Sequence, residues 1–434
     1  MLNVVEIISK KKNNIELSEQ EIKFVYDGFV NKTIPDYQMA AFLMAVNFCG
    51  YSENEQYYAT KAMVESGKVL DLRVENKIVV DKHSSGGVGD KVSIILTPLL
   101  SALGLYVGKM SGRGLGHTGG TVDKLESLNL NLDFDLKTYM DQLKDNGLLL
   151  TGQSDDMVLA DKYIYALRDV TATSDVFDLM VGSIMAKKLA LITDYIFLDV
   201  KVGEGAFCKN VEQAESLATK MLKLSKKFNR NAIIHLTNMD KPLGKAIGNA
   251  IEIKESMDYL LGKPVPQDLY DLINQFALDI LIDTKFAKNK EDAQAKIDNV
   301  IKNGLAYQKF VNWVRWWYKG DYISLENNTY FNPKYKLEIL AKQDGYLDFK
   351  STKELGMIAV DLKAGRKVKT DQLDFQAGIY LNKKNNDFVK TNEVIATLYA
   401  NQPISDEVVN KYHNNVVYLK TPKQIAPSII KVMR

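Results

Sequence analysis

The chain has 434 residues, roughly three times the ~150 residues of a single domain, so two or three packed units are expected. Hydrophobic residues at 46% and charged residues at 25% exclude disordered, collagen-like and coiled-coil classes. Lys+Arg 56 against Asp+Glu 54 leaves +2, too little for a field that draws nucleic acid or an anionic membrane, so any anion site must be local.

Two cysteines, Cys49 and Cys208, make no disulfide framework, and the four histidines, at 83, 117, 235 and 413, have no zinc spacing. The N-terminal apolar stretch is shorter than a signal-peptide core, and no window approaches ~20 apolar residues. A soluble protein of the reducing cytoplasm, without membrane or nucleic-acid partners, is expected.

Residues 1 to 68 read as helices. Ser18 with Glu21 and Ser52 with Glu55 are capping boxes that open amphipathic runs, and Pro35 sits at a further helix start. At Lys77-Ile-Val-Val-Asp81 the pattern changes to strand, glycine-rich loop and then a helix over Val92 to Leu103. The same grammar recurs at Tyr195 to Val200 and at Ala232 to Thr237, which predicts a mainly parallel sheet covered on both faces.

Between them, Ala160 to Ala190 is helical again, so the chain is expected to leave the sheet, rejoin the N-terminal helices and return. Ser154 to Asp161 and Leu191 to Asp194 are then hinge candidates. Trp313, Trp316 and Trp317 at i, i+3, i+4 read as packing residues. From about Gly345 the texture is β-rich with polar turns, a C-terminal α+β region whose Lys/Asn content reads as a solvated face.

Two segments carry chemistry. Lys82-His-Ser-Ser-Gly-Gly-Val-Gly-Asp-Lys-Val-Ser93 runs from a strand into a helix, and its glycines let backbone N–H groups approach a ligand while Lys82, Ser84 and Ser93 add a charge and two hydroxyls. It is neither a Walker loop nor a dinucleotide fingerprint, and a tight βα turn is its bland alternative.

Lys109-Met-Ser-Gly-Arg-Gly-Leu-Gly-His-Thr-Gly-Gly-Thr-Val-Asp-Lys-Leu-Glu126 packs five glycines into residues 112 to 120, which serves neither helix nor strand. Two such loops facing one site would clamp a tetrahedral anion. Farther on, Tyr165 to Thr173 carries Arg168, and a helix carries Ser183 and Lys187 on one face at i, i+4. His117 reads as shaping its loop only, and His235 as a satisfied core histidine.

Residues 111 to 126 resemble the signature of the thymidine and pyrimidine-nucleoside phosphorylases. Residues 82 to 93, 161 to 173, 199 to 203, 242 to 244, 248 to 250 and 364 to 366 continue the likeness over nearly the whole chain. The resemblance implies a small all-helical domain (1–68 and about 161–192) for base binding and dimerisation. It implies beside this an α/β phosphate domain (about 75–155 and 195–335) with a mixed, mainly parallel sheet, and a C-terminal α+β domain (about 345–434).

It further implies reversible phosphorolysis of pyrimidine nucleosides by a homodimer. Phosphate would be held by Lys82, Ser84, Ser93, Lys109, Ser111 and Thr121, and the base by Arg168, Ser183 and Lys187 with His83 beside it. Tyr165, Leu115 and Ile184 match lining positions. Catalytic roles fall to His83, Arg168 and Lys187. A departing pyrimidine gathers negative charge, for which a permanently charged guanidinium and an ammonium are suited; His83, whose ordinary pKa is ~6.5, would protonate or hydrogen-bond a base carbonyl.

No organic cofactor is implied. A monovalent-cation site of bacterial relatives maps to Gly89, Lys91, Leu243, Ala246 and Glu255, but Lys91 stands where several relatives have a small hydroxyl residue, so an ammonium is expected to replace K+, the alternative being a solvent-facing Lys91. Leu159-Ala160 replaces a Pro-Ala at the hinge. The rivals are an anthranilate-type phosphoribosyltransferase, whose Mg²⁺ would need acidic residues near a pyrophosphate, and a non-catalytic nucleoside-binding protein on the same scaffold.

Overall fold

The computed structural model describes residues 2–114, 116–132, 135–154, 156–317, 321–368 and 370–434. Both capping boxes form: Ser18 caps helix Glu19–Val30 and Ser52 caps helix Glu53–Glu65, each with the reciprocal glutamate bond. With Val4–Lys12 and Asp36–Cys49, the latter preceded by Pro35, these helices make a bundle that is completed by Leu159–Arg168 and Phe177–Leu189. A buried Lys11–Glu55 ion pair at 2.7 Å ties the first helix to the fourth.

The largest sheet has six strands, in the order Ile429–Met433, Asn231–Asn238, Tyr195–Val202, Val79–Ser84, Tyr106–Ser111, Leu148–Gly152. Its first strand pairs antiparallel and the rest pair parallel. The sheet is therefore mixed and mainly parallel, with the strand ends at Ser84 and Ser111 feeding the two glycine-rich loops. Helix Val92–Leu103 is apolar all round and buried from Val92 to Ser101, because helices 250–260, 267–283, 290–302 and 305–316 pack around it. Trp313 and Trp317 lie in this core.

Three passages of the chain between bundle and sheet run side by side. Leu70–Asp71 pairs in parallel with Leu191–Ile192, Lys68 N donates to Asp156 O at 2.8 Å, and Ala160 N donates to Ser66 Oγ at 2.9 Å. In the third passage Val158 takes φ 49°, a left-handed conformation that a β-branched residue adopts only under constraint.

The C-terminal region builds a four-stranded antiparallel sheet whose edge partner, Ala246–Gly248, comes from far earlier in the chain, and a three-stranded sheet around Gly345–Phe349. Its apolar core takes in Val88, from the first glycine-rich loop, and Ile247. That loop is thus anchored outside its own layer. Among the described residues no helix is long and apolar enough to cross a membrane.

Candidate functional site

A cleft of about 310 Å³ opens where the bundle faces the strand ends, and both glycine-rich loops and the bundle contribute to it. From the sheet side Ser84, Ser93, Lys109, Ser111 and Thr121 line it, and from the bundle Tyr165, Arg168, Ser183, Ile184 and Lys187, with His83 between. Leu115 lies outside the described residues.

Lys82 departs from the expected set. Neighbouring residues of a strand point to opposite faces, so with His83 toward the cleft Lys82 points into the core. There its fully buried ammonium meets Asp199 Oδ2 at 3.1 Å and stands 5.5 Å from the ring centre of Phe276. Burial lowers its pKa, and Asp199 partly offsets this. The same Asp199 pairs with Lys201 at 2.8 Å and accepts the Thr237 hydroxyl at 2.6 Å, a buried charge cluster behind the first glycine-rich loop.

On the bundle wall, Arg168 is 1% exposed and pinned by three carbonyls, Nε to Thr173 O at 3.0 Å, Nη1 to Leu179 O at 3.3 Å and Nη2 to Ser174 O at 2.8 Å. Three of its five N–H groups are committed, leaving two for a ligand in a fixed plane. Lys187 Nζ bonds Ser183 Oγ at 3.0 Å and forms an ion pair with the buried Asp161, which orients the ammonium without removing it from the cleft.

The sheet side is strongly cationic. Burial, then the charges of Lys188, Lys109, Lys187 and Lys82, push the His83 pKa well below 6.5. The imidazole is therefore neutral near pH 7, so it is a hydrogen-bonding group and not the reservoir of a proton that its ordinary pKa suggests. Burial and the neighbouring Lys188 likewise push Lys109 well below 10.5. Lys188 itself is paired with Asp81 at 2.9 Å.

The loop 112–120 is held from the C-terminal region. Gly116 N donates to Arg366 O at 2.9 Å, Arg366 Nη1 to Asp123 Oδ1 at 2.7 Å, and Gly114 N to Asp123 Oδ2 at 2.7 Å. His117 lies against this contact, its carbonyl where a side chain on Gly356 would have to fit, and does not line the cleft. His235 Nε2 meets Asp279 Oδ2 at 2.9 Å in the core.

At the predicted cation position, Lys91 Nζ is buried and bonds Leu243 O at 2.7 Å, Ala246 O at 3.1 Å and Glu255 Oε2 at 2.9 Å. Gly89, at φ 73°, leaves no room for a side chain, since a Cβ would lie 2.7 Å from Leu243 O. These oxygens are taken by the ammonium, so a metal cation beside it does not fit. Among the described residues no cluster of His, Cys, Asp and Glu could hold a metal.

Sequence reasoning passed over Asp90, Asp161, Lys188 and Phe207. The first three are neighbours or helix partners of residues it selected, but Phe207, 47% exposed on the loop after strand Tyr195–Val202, is placed over the cleft only by the fold.

A helical bundle beside a mixed, mainly parallel sheet, with two glycine-rich loops facing Arg168, Ser183 and Lys187 across one cleft, is the frame of a glycosyl-transferring protein. Models of the glycosyl transferase family match residues 5–67 (helical bundle domain) and 76–307 (a/b domain), and the pyrimidine nucleoside phosphorylase C-terminal domain matches residues 346–419. The chain is 46% identical to a thymidine phosphorylase of Mycoplasmoides pirum, covering 94% of this chain and 98% of that one. It is 40% identical to a pyrimidine-nucleoside phosphorylase of Bacillus subtilis, covering 98% and 99%. The chain belongs to the thymidine/pyrimidine-nucleoside phosphorylase family. An anthranilate phosphoribosyltransferase from Thermus thermophilus shares the fold at a TM-score of 0.56 and 16% identity over 71% of this chain.

Proposed function

We propose that this chain catalyses reversible phosphorolysis of pyrimidine nucleosides (thymidine, deoxyuridine, uridine) to the free base and the (deoxy)ribose 1-phosphate. The observation that carries the reading is the two-sided cleft, with hydroxyls and Lys109 on the sheet side and Arg168, Ser183 and Lys187 on the bundle. Phosphate held by Ser93, Lys109, Ser111 and Thr121 attacks C1′ while the bond to the base breaks. The electron pair leaves with the base, where the two free N–H groups of Arg168 and the ammonium of Lys187 meet the developing charge. Lys82 acts from behind, as a buried charge. Neutral His83 orients a base carbonyl or the sugar, and Tyr165 and Ile184 form the walls.

Residues 1–68 with about 161–192 serve as the base-binding unit, about 75–155 with 195–335 as the phosphate unit and about 345–434 as the third. Their approach would expel water that otherwise intercepts the cation-like sugar. The Lys91 ammonium takes the role of a monovalent cation. A homodimer joined through the bundle is supported by Tyr37 and Phe48, 73% and 80% exposed on the apolar helix Asp36–Cys49. A cytoplasmic site of action fits two free cysteines.

Incubation with thymidine or uridine tests the reading: base release should require phosphate, accept arsenate in its place and refuse water. Equal turnover in phosphate-free buffer overturns it.

A further inference from the structure

Ser84 ends its strand, and Asp90 lies just before the N-cap of helix Val92–Leu103, so the glycine-rich loop between them folds both side chains toward the cleft. The Ser84 hydroxyl donates to Asp90 Oδ2 and accepts from Gly86 N at 3.2 Å. Asp90 Oδ1 accepts from Val92 N at 3.2 Å. Although burial opposes ionisation, Lys201, Lys82, Lys124 and the Ser84 bond hold the Asp90 carboxyl far below its usual range. The carboxylate is charged and has no proton to give.

A serine hydroxyl has one proton and two lone pairs. Here the proton is committed to Asp90, so what Ser84 and Asp90 offer an anion in the cradle is acceptor capacity. An anion bearing no proton meets acceptor against acceptor, while an anion that still carries one completes a hydrogen bond. Sites built to bond a substrate hydroxyl discriminate strongly against analogues that lack it.

We infer that Ser84 and Asp90 read the proton on the tetrahedral anion, so that the cradle selects hydrogen phosphate, and its arsenate analogue, over sulfate. The inference rests on the phosphorolysis reading and changes the part of Ser84 within it from donor to acceptor. Donation to the anion is left to Ser93, Lys109, Ser111 and Thr121, on the other sides of the cradle.

The test is titration calorimetry of the full chain with inorganic phosphate and with sulfate at pH 8 and constant ionic strength, together with phosphate-dependent thymidine cleavage on the same preparation. Wild type should bind phosphate at least about tenfold more tightly than sulfate, the scale of one unpaired buried polar group. Asp90→Asn, which frees the Ser84 proton, should narrow the ratio at least about fivefold, with sulfate gaining. Ser84→Ala should weaken phosphate and leave sulfate unchanged, and it decides the matter if the Asp90 variant does not fold. Equal binding of the two anions by wild type, or the wild-type ratio kept by the folded variants, overturns the inference. When cleavage still requires phosphate in that case, only the inference falls; absence of phosphate-dependent cleavage overturns the function itself.

Discussion

Replacing Lys91 by Thr removes a buried ammonium and leaves the Glu255 carboxylate facing two carbonyls, those of Leu243 and Ala246. Breaking one side of a buried ion pair typically costs about 3–5 kcal/mol. Glu255 keeps N–H bonds from Lys245 at 2.7 Å and Ala246 at 3.0 Å, so the lower end, about 3 kcal/mol, applies. At roughly 2–4 °C per kcal/mol this lowers Tm by about 6–12 °C. The pKa of Lys91 is raised above 10.5, burial being outweighed by Glu255, Glu252 and Asp268. Its contribution is accordingly complete below pH 10.5 and is lost only as pH rises through the higher folded value.

Threonine leaves space and three oxygens, so potassium should restore much of the lost stability and rate. Scanning calorimetry and initial rates in sodium-only and potassium buffers of equal ionic strength measure both. Wild type should be active in sodium alone and indifferent to potassium. A wild type inactive until potassium is added, or a Lys91→Thr variant as stable as wild type and unmoved by potassium, would rule out an ammonium standing in for the cation.

Lys187→Ala and Arg168→Ala should each lower kcat/KM at least about 10²-fold, the scale for one transition-state charge donor. Circular dichroism melts should show both variants destabilised, because Arg168→Ala strands the carbonyls of Thr173, Leu179 and Ser174 and Lys187→Ala leaves the buried Asp161 carboxylate without its partner. Arg366→Ala, by releasing Asp123 and the 112–120 loop, should raise the phosphate KM by about fivefold or more and leave the nucleoside KM nearly unchanged; steady-state kinetics in both substrates checks this. Because the His83 pKa lies well below 6.5, the kcat/KM profile should show no His83 step at that pH. The unfolded chain binds a proton below pH 6.5 that the native site refuses, so urea stability should fall as pH drops from 6.5, less steeply in His83→Gln.

The features legible in the sequence are local. Caps at Ser18 and Ser52 fix helix starts because the bonds that satisfy them span three residues, and glycine-rich stretches must be loops because no regular element tolerates them. Helix Val92–Leu103 and the strands ending in Ser84 and Ser111 follow from such short-range rules, and with them the cluster of candidate residues. The family motif joined the two loops to one site across distances that periodicity does not see.

Which side chains reach the cleft depends on how the layers pack. Lys82 and His83 are adjacent in sequence but lie on opposite faces of one strand, and the choice between them belongs to the layer each face packs against. Neutral His83 results from its burial and from four lysines converging on it from two strands and a helix. Arg366 reaches Asp123 across 243 residues, and strand Ile429–Met433 closes a sheet begun near residue 79. Such pairings carry no local signature, because their energy comes from burial and charge that exist only once the layers have met.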